Sequence, residues 1–291
     1  MIRAADAIAA LRERLAGASP TAALDAELLV ARVLGTGRAA LAADPGRTLA
    51  PEELLALESF ARRRLAGEPV AYLTGRREFW SLDLEVTPDV LVPRPETELL
   101  VERTLAAITD LVRPAVLDLG TGCGAIALAV ASERPDAAVT AADRSAAALS
   151  VARRNAARLG STNVRFVEGD WFAPLAGSRF DAIVANPPYV AAGDPALASL
   201  AHEPRAALVA GADGLESLAV IAAGAGAHLA PGGRLLLEHG ADQGDAVRGM
   251  MRAAGFAGVE TRRDISGRQR ASEGTQPREA VESALPMERT R

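Results

Sequence analysis

The spacing of apolar residues changes period twice along the chain, and each change marks a change of architecture. Up to about residue 76 the period is helical: Ile8, Leu11 and Leu15 share a face before Gly17 stops the run. Leu24, Leu28, Leu29 and Val33 form a second stripe, opened at Pro20 or Thr21 and closed at Gly35. Pro51-Glu52-Glu53 puts a proline and two acids in a first turn, and Leu54, Leu57, Ala61 and Leu65 continue the stripe. Residues 1–76 thus predict a small helical domain. From 77 to 95 the period falls to two, with Trp80, Leu82, Leu84 and Val86 alternating against Ser81, Asp83 and Glu85. Thr87-Pro88-Asp89 then turns, Val90-Leu91-Val92 returns, and Pro93-Arg94-Pro95 ends the pairing, which predicts a β-hairpin joining two domains.

Glu96-Thr97-Glu98 opens a helix carrying Leu99, Leu100 and Leu105. From Ala115 strands and helices alternate, with strands predicted at 115–119, 137–142, 163–168, 180–185, 233–238 and 256–262. Helices fall from about 125 and at 145–159, 214–229 and 242–254. Repeated βα alternation predicts an α/β fold, a parallel sheet with helices on both faces, whose strand ends line one crevice. From Ser266 onward apolar residues thin out. Ala271 to Gln276 does not read as a strand, and 271–291 reads as a disordered tail; the closing strand that the family resemblance given below implies is therefore expected to be missing or rebuilt from Ala280-Val281.

Composition narrows the classes. With 291 residues, 49% hydrophobic and 24% charged, the chain has room for one large domain and a small one. No apolar run approaches the ~20 residues that span a bilayer, and the first residues lack a signal-peptide core. A single cysteine, Cys123, fits a reducing compartment, so a cytoplasmic location is expected. The net charge of −5 argues against gripping a long nucleic acid. His202, His228 and His239 lack metal-ligand spacing, so no metal is expected. Arg62-Arg63-Arg64 and Arg76-Arg77 read as solvated faces.

Four strand ends carry the candidate chemistry. The first runs into Gly120-Thr121-Gly122-Cys123-Gly124, where glycines let the backbone approach a ligand at a helix N-terminus. Its Gly-x-Gly-x-Gly spacing is not that of dinucleotide folds. The second ends at Asp143, where a carboxylate can accept from two ribose hydroxyls. The third meets Glu168-Gly169-Asp170-Trp171, an acceptor for an adenine amine beside a flat indole. Taken singly, these fit a tight turn, an N-cap and core packing. The fourth is Asn186-Pro187-Pro188-Tyr189, two prolines that force the chain out of the sheet in a stiff turn. That turn offers an amide side chain and unpaired carbonyls, acceptors for both hydrogens of a planar –NH2 group. Together the four suit S-adenosylmethionine beside such a group.

The chain resembles the protein-(glutamine-N5) methyltransferases that modify peptide chain release factors, members of the Rossmann-like S-adenosylmethionine-dependent methyltransferases. Asn-Pro-Pro-Tyr alone is shared with nucleic-acid amino methyltransferases. The resemblance to the release-factor family is carried by Gly67 to Gly75, Arg77-Glu78-Phe79-Trp80, Pro93 to Glu98, Glu203-Pro204, Asp213-Gly214-Leu215 and Glu238-His239-Gly240. It implies a helical substrate-recognition domain at 1–76, a hairpin linker at 77–95 and a methyltransferase domain at 96–270. It further implies cofactor contacts from Gly120, Thr121, Gly122, Cys123, Gly124, Asp143, Trp171 and Asn186. Asn186, Pro187, Pro188 and Tyr189 would hold the substrate, with Asn186, Pro187 and Tyr189 catalytic. The implied substrate is the glutamine of the release factor's Gly-Gly-Gln loop, and a monomer without membrane or direct nucleic-acid partners is expected. The competing reading, an adenine-N6 type methyltransferase, would need a target-recognition domain or basic surface, and neither is apparent.

Overall fold

The computed structural model describes residues 2–278. Five helices make up the N-terminal part: α1 (Ala4–Leu15), α2 (Ala22–Val33), α3 (Arg38–Ala43), α4 (Pro51–Leu65) and α5 (Val70–Thr74). Short strands β1 (Ile2–Arg3) and β2 (Thr48–Leu49) pair antiparallel beside them. Leu11, Leu15, Leu29, Val30 and Leu57 close a core of their own. The stripe expected on α2 is rotated, so that Leu24 is exposed and Asp25 is buried. Asp25 goes inside because Ser19, Thr21 and Arg64 all donate to it, at 2.7, 2.9 and 2.8 Å.

The hairpin is shifted from the expected position. Its strands are β3 (Arg76–Phe79) and β4 (Leu82–Glu85), joined through Trp80 and Ser81 at φ 51° and 58°. Two positive φ values make the tight turn that matches strand twist, but Trp-Ser lacks the Asn-Gly signature by which such turns are read. Distant acids hold it instead: the Trp80 backbone N–H donates to Glu98 and the indole N–H to Glu133, both at 2.8 Å. Val90-Leu91-Val92 is not a returning strand. It is pinned by Tyr72 Oη donating to the Val90 carbonyl at 2.6 Å and Val92 N–H donating to Glu203 at 3.1 Å.

A short 3-10 turn (Pro95–Thr97) leads into α6 (Glu98–Ala107), and the alternating region then follows. It comprises β5 (Ala115–Leu119), α7 (Ala125–Glu133), β6 (Ala138–Asp143), α8 (Ala146–Leu159), β7 (Val164–Glu168) and β8 (Phe180–Ala185). After these come α9 (Glu216–Ala225), β9 (Leu229–Glu238), α10 (Gly244–Ala253), β10 (Ala257–Arg263) and β11 (Gln269–Thr275). The sheet order is β10-β11-β9-β8-β5-β6-β7. The five strands from β9 to β7 are parallel, as the alternation predicts. Successive residues serve opposite faces: Val116 packs with Leu100, Leu128 and Val151, while Leu117 packs with Ile221, Val247 and Met251.

The C-terminal segment corrects the expectation of a missing strand. β11 inserts antiparallel between β9 and β10, although its residues read as Gln-Arg-Ala-Ser-Glu-Gly-Thr. Each buried polar group there has a partner from elsewhere in the chain. Ser272 Oγ meets His239 Nε2 at 2.9 Å and Thr261 Oγ1 at 2.8 Å. Glu273 lies within 2.8 Å of Arg103, 2.7 Å of Arg262 and 3.2 Å of Arg234. Burial pushes the Glu273 carboxyl up, and the hydrogen bonds from Arg103 and Arg262 outweigh it, so the group sits below its ordinary range. Ala280-Val281 lies outside the described residues.

Glu273→Ala should therefore destabilise the sheet edge by ~3 kcal/mol, because three arginines lose the carboxylate around which they are gathered. The contribution is present at neutral pH and lost as pH falls through the depressed carboxylate range. Thermal unfolding of the variant against the parent at two pH values measures it, and the difference should shrink in acid.

Candidate active site

The glycine loop after β5 is shaped by its own backbone and one buried acid. Gly122 has φ 57°, and a Cβ there would meet nothing within 4 Å, so the loop leaves open space at that point. Gly124, at φ 88°, has a different role: a Cβ would stand 3.0 Å from Leu128 and 3.3 Å from Ala152, so it lets α7 pack. Asp118 anchors the loop from beneath, accepting from Thr121 Oγ1 at 2.6 Å and from the Ala127 N–H at 3.1 Å. Burial pushes this carboxyl up to about 7, although those two hydrogen bonds favour its ionised form. Cys123 is buried and its thiol is pushed up to about 12, so it contributes backbone and shape, not reactivity.

Asp143 ends β6 beside this loop. Its Oδ2 accepts from the Gly122 N–H and its Oδ1 from the Ser145 N–H, both at 2.9 Å. The N-cap of α8 is Ser145, whose hydroxyl accepts from the Ala148 N–H at 3.1 Å. Asp143 thus ties two strand-end turns together, and each oxygen keeps a lone pair for a ligand hydroxyl. Trp171, at φ 44°, packs against the core and also lines the cavity.

The cavity bounded by these turns has a volume of about 400 Å³. Gly120, Thr121, Gly122, Cys123, Asp143, Trp171, Asn186 and Pro188 all line it, as does Asp170, while Gly124 stands behind the loop. Asp89, Val90, Leu91 and Pro93 form a wall that the strand-end pattern does not contain. A second cavity of about 410 Å³ lies on the other side of Asn186. Arg64, Gly67 and Pro69 from the helical part line it, together with Arg94, Pro187, Tyr189 and Glu203. Asn186 borders both cavities.

The turn after β8 is held from several sides. Asn186 Nδ2 donates to Thr97 Oγ1 at 3.1 Å, and Tyr189 Oη donates to Glu238 Oε1 at 3.1 Å. Gln243 Nε2 donates to the Tyr189 carbonyl at 3.0 Å. Burial and the Glu238 charge push the Tyr189 phenol up, which keeps it a donor. Glu203 is buried under the second cavity, accepting from the Val92 N–H and from Arg94. Thr97, Glu203 and Glu238 are legible in the sequence only as parts of segments that resemble the release-factor family, with no role attached. Their roles depend on contacts 109, 111, 89 and 49 positions apart in sequence.

The three histidines are engaged elsewhere: His202 meets the Ala66 carbonyl, His228 stacks on Phe172, and His239 meets Ser272. Among the described residues no group of three or more His, Cys, Asp and Glu side chains is placed to hold a metal ion.

A nucleoside-sized cavity with open glycine backbone, aspartates at two strand ends and an indole fits S-adenosylmethionine in its dimensions and in its acceptors. The fold and this site define a Rossmann-like, S-adenosylmethionine-dependent methyltransferase. The family described as "Methyltransferase small domain" matches residues 95–212, and "PrmC N-terminal domain" matches 6–75. Release factor glutamine methyltransferase of Burkholderia pseudomallei is 53% identical over 271 residues, covering 89% of this chain and 94% of its own length. The same enzyme of Pseudomonas aeruginosa is 51% identical over 258 residues, covering 88% and 93%. The chain belongs to the release factor glutamine methyltransferase family. A methyltransferase structure from Pyrococcus furiosus, at 23% identity, shares the fold with TM-score 0.51, over 76% of this chain and 99% of that one.

Asp143→Ala should weaken S-adenosylmethionine binding ~tenfold or more, since charge-assisted hydrogen bonds contribute about 1.5–3 kcal/mol. Calorimetry on the folded variant measures it, and unchanged affinity would place the ribose elsewhere.

Proposed function

We propose that this protein methylates the side-chain amide nitrogen (N5) of the glutamine in the Gly-Gly-Gln loop of peptide chain release factors, working in the cytoplasm as a monomer. The observation that carries this is the position of Asn186 between the two cavities. The first takes the cofactor, and the second, open between the helical part and the catalytic sheet, takes the substrate loop.

S-adenosylmethionine supplies an electrophilic methyl group on a sulfonium. The protein's own task is to make an amide nitrogen nucleophilic, although its lone pair is delocalised into the carbonyl. Asn186 Oδ1 and the Pro187 carbonyl accept the two N–H bonds of the substrate amide. They orient the –NH2 group and favour a pyramidal nitrogen, an interaction that strengthens toward the transition state. Pro187 and Pro188 keep this turn stiff, and Tyr189 walls the substrate side with its hydroxyl tethered to Glu238. The family's names for its members, together with the helical part on the second cavity, favour a protein substrate over a nucleic acid.

Incubation with labelled S-adenosylmethionine and, in parallel, release factor, transfer RNA and duplex DNA separates the readings. Label should enter the release factor alone. Label in either nucleic acid, with none in the factor, would support the adenine-N6 reading instead.

A further inference from the structure

Behind Asn186 stand polar side chains from the ends of β8 and β9 and from the turn before α6. Asn186 Nδ2 donates to Thr97 Oγ1 at 3.1 Å, and Thr97 is itself buried. A buried hydroxyl that accepts one hydrogen bond still has a proton to give. The acceptor beside it is Glu238, only 1% exposed at the end of β9, whose ionised form the Thr97 hydroxyl favours. Tyr189 Oη donates to Oε1 of the same carboxylate at 3.1 Å, while Oε2 retains capacity for another donor.

An ionised carboxylate can only accept. With both hydroxyl protons turned toward Glu238, the Thr97 oxygen is left to receive an N–H from Asn186. The Asn186 amide must then face its nitrogen inward and its oxygen toward the substrate. We propose that Glu238 is a positioning residue that sets the direction of these hydrogen bonds and so presents Asn186 to the substrate as an acceptor. The inference rests on the reading that Asn186 grips a substrate –NH2 group.

Protonation would reverse them, because a neutral Glu238 can donate to Thr97 and Thr97 can then donate to Asn186. Burial pushes the Glu238 carboxyl up to about 7, against hydrogen bonds from Thr97 and Tyr189. The charged groups facing it are Arg270 on β11, which favours the ionised form, and Glu96 in the turn before α6, which opposes it. His239, next along β9, is turned away toward Ser272 and Gly240. The oriented state is therefore populated above about pH 7 and lost below it.

Glu238→Gln keeps shape but can donate as well as accept, leaving the direction undefined. In steady-state transfer to intact release factor, kcat should fall roughly 10–100-fold through misorientation of the acceptor. KM for the factor, cofactor affinity and thermal midpoint should stay as in the parent. The parent's kcat should fall as pH drops through about 7, and Glu238→Gln should lack that limb. Thr97→Val should lower kcat similarly and Thr97→Ser should restore it, a pair that decides the matter even if Glu238→Gln does not fold. Parental kcat in Glu238→Gln overturns the proposal, as does a loss matched by weaker cofactor binding or lower stability. An acid limb that persists in Glu238→Gln also overturns it, and would point to Asp118, which burial likewise raises to about 7. If the parent transfers nothing to release factor, the substrate reading fails instead. The Asn186 side-chain NH2 resonances at pH 6 and 8 would then still show whether the amide turns over.

Discussion

Gly214→Ala should abolish most methyl transfer although residue 214 touches neither cavity. At φ 78° a Cβ on this residue would stand 2.3 Å from the Tyr189 carbonyl oxygen and 2.9 Å from Gln243 Nε2. The backbone of Tyr189 is not free to retreat, because Gln243 holds its carbonyl and Glu238 its hydroxyl. The turn carrying Asn186 must move, and a displacement near 1 Å in a positioned group costs on the order of 100-fold in rate. The left-handed backbone adds ~1–3 kcal/mol of strain. Single-turnover rates and thermal unfolding should both worsen. A parental rate would mean that this contact yields without disturbing the turn.

Asn186→Ala should lower the rate on the order of 100-fold or more, by analogy with removing one oriented donor from an oxyanion hole. The variant removes the side-chain acceptor and leaves Pro187 and Pro188 to hold the turn. Thr97 loses its donor but is otherwise undisturbed, so the fold should survive. Asn186→Asp keeps an acceptor yet adds a negative charge beside the position of a sulfonium, and should bind cofactor while transferring slowly. A near-parental rate for the alanine variant would remove this turn from the chemistry.

The sheet and the residues at its strand ends were legible because their signals are local. A parallel strand buried on both faces reads as a continuous apolar run, as in Phe180 to Val184, and Pro187-Pro188 marks where it must end. Asp143 and Trp171 could be placed by the same logic, since a strand end fixes which loops share a crevice. What escaped depends on partners far along the chain. Trp80-Ser81 turns a hairpin without turn residues because Glu98 and Glu133 secure it. β11 hides a glutamate inside the sheet because arginines from α6, β9 and β10 converge on it. Local periodicity contains none of that.

The wall of the cofactor cavity formed by Val90, Leu91 and Pro93 is of the same kind. Tyr72 of α5 pins Val90, so the helical part shapes the first cavity as well as the second.

The most direct test is tandem mass spectrometry of intact release factor after incubation with this protein and methyl-labelled S-adenosylmethionine. A single added methyl group should localise to the side-chain nitrogen of the glutamine in the Gly-Gly-Gln loop, and Asn186→Ala should leave that residue unlabelled over the same interval. Label on any other residue, or an unmodified glutamine after prolonged incubation with the parent protein, would contradict the assignment of Asn186 and its turn as an amide-methylating site.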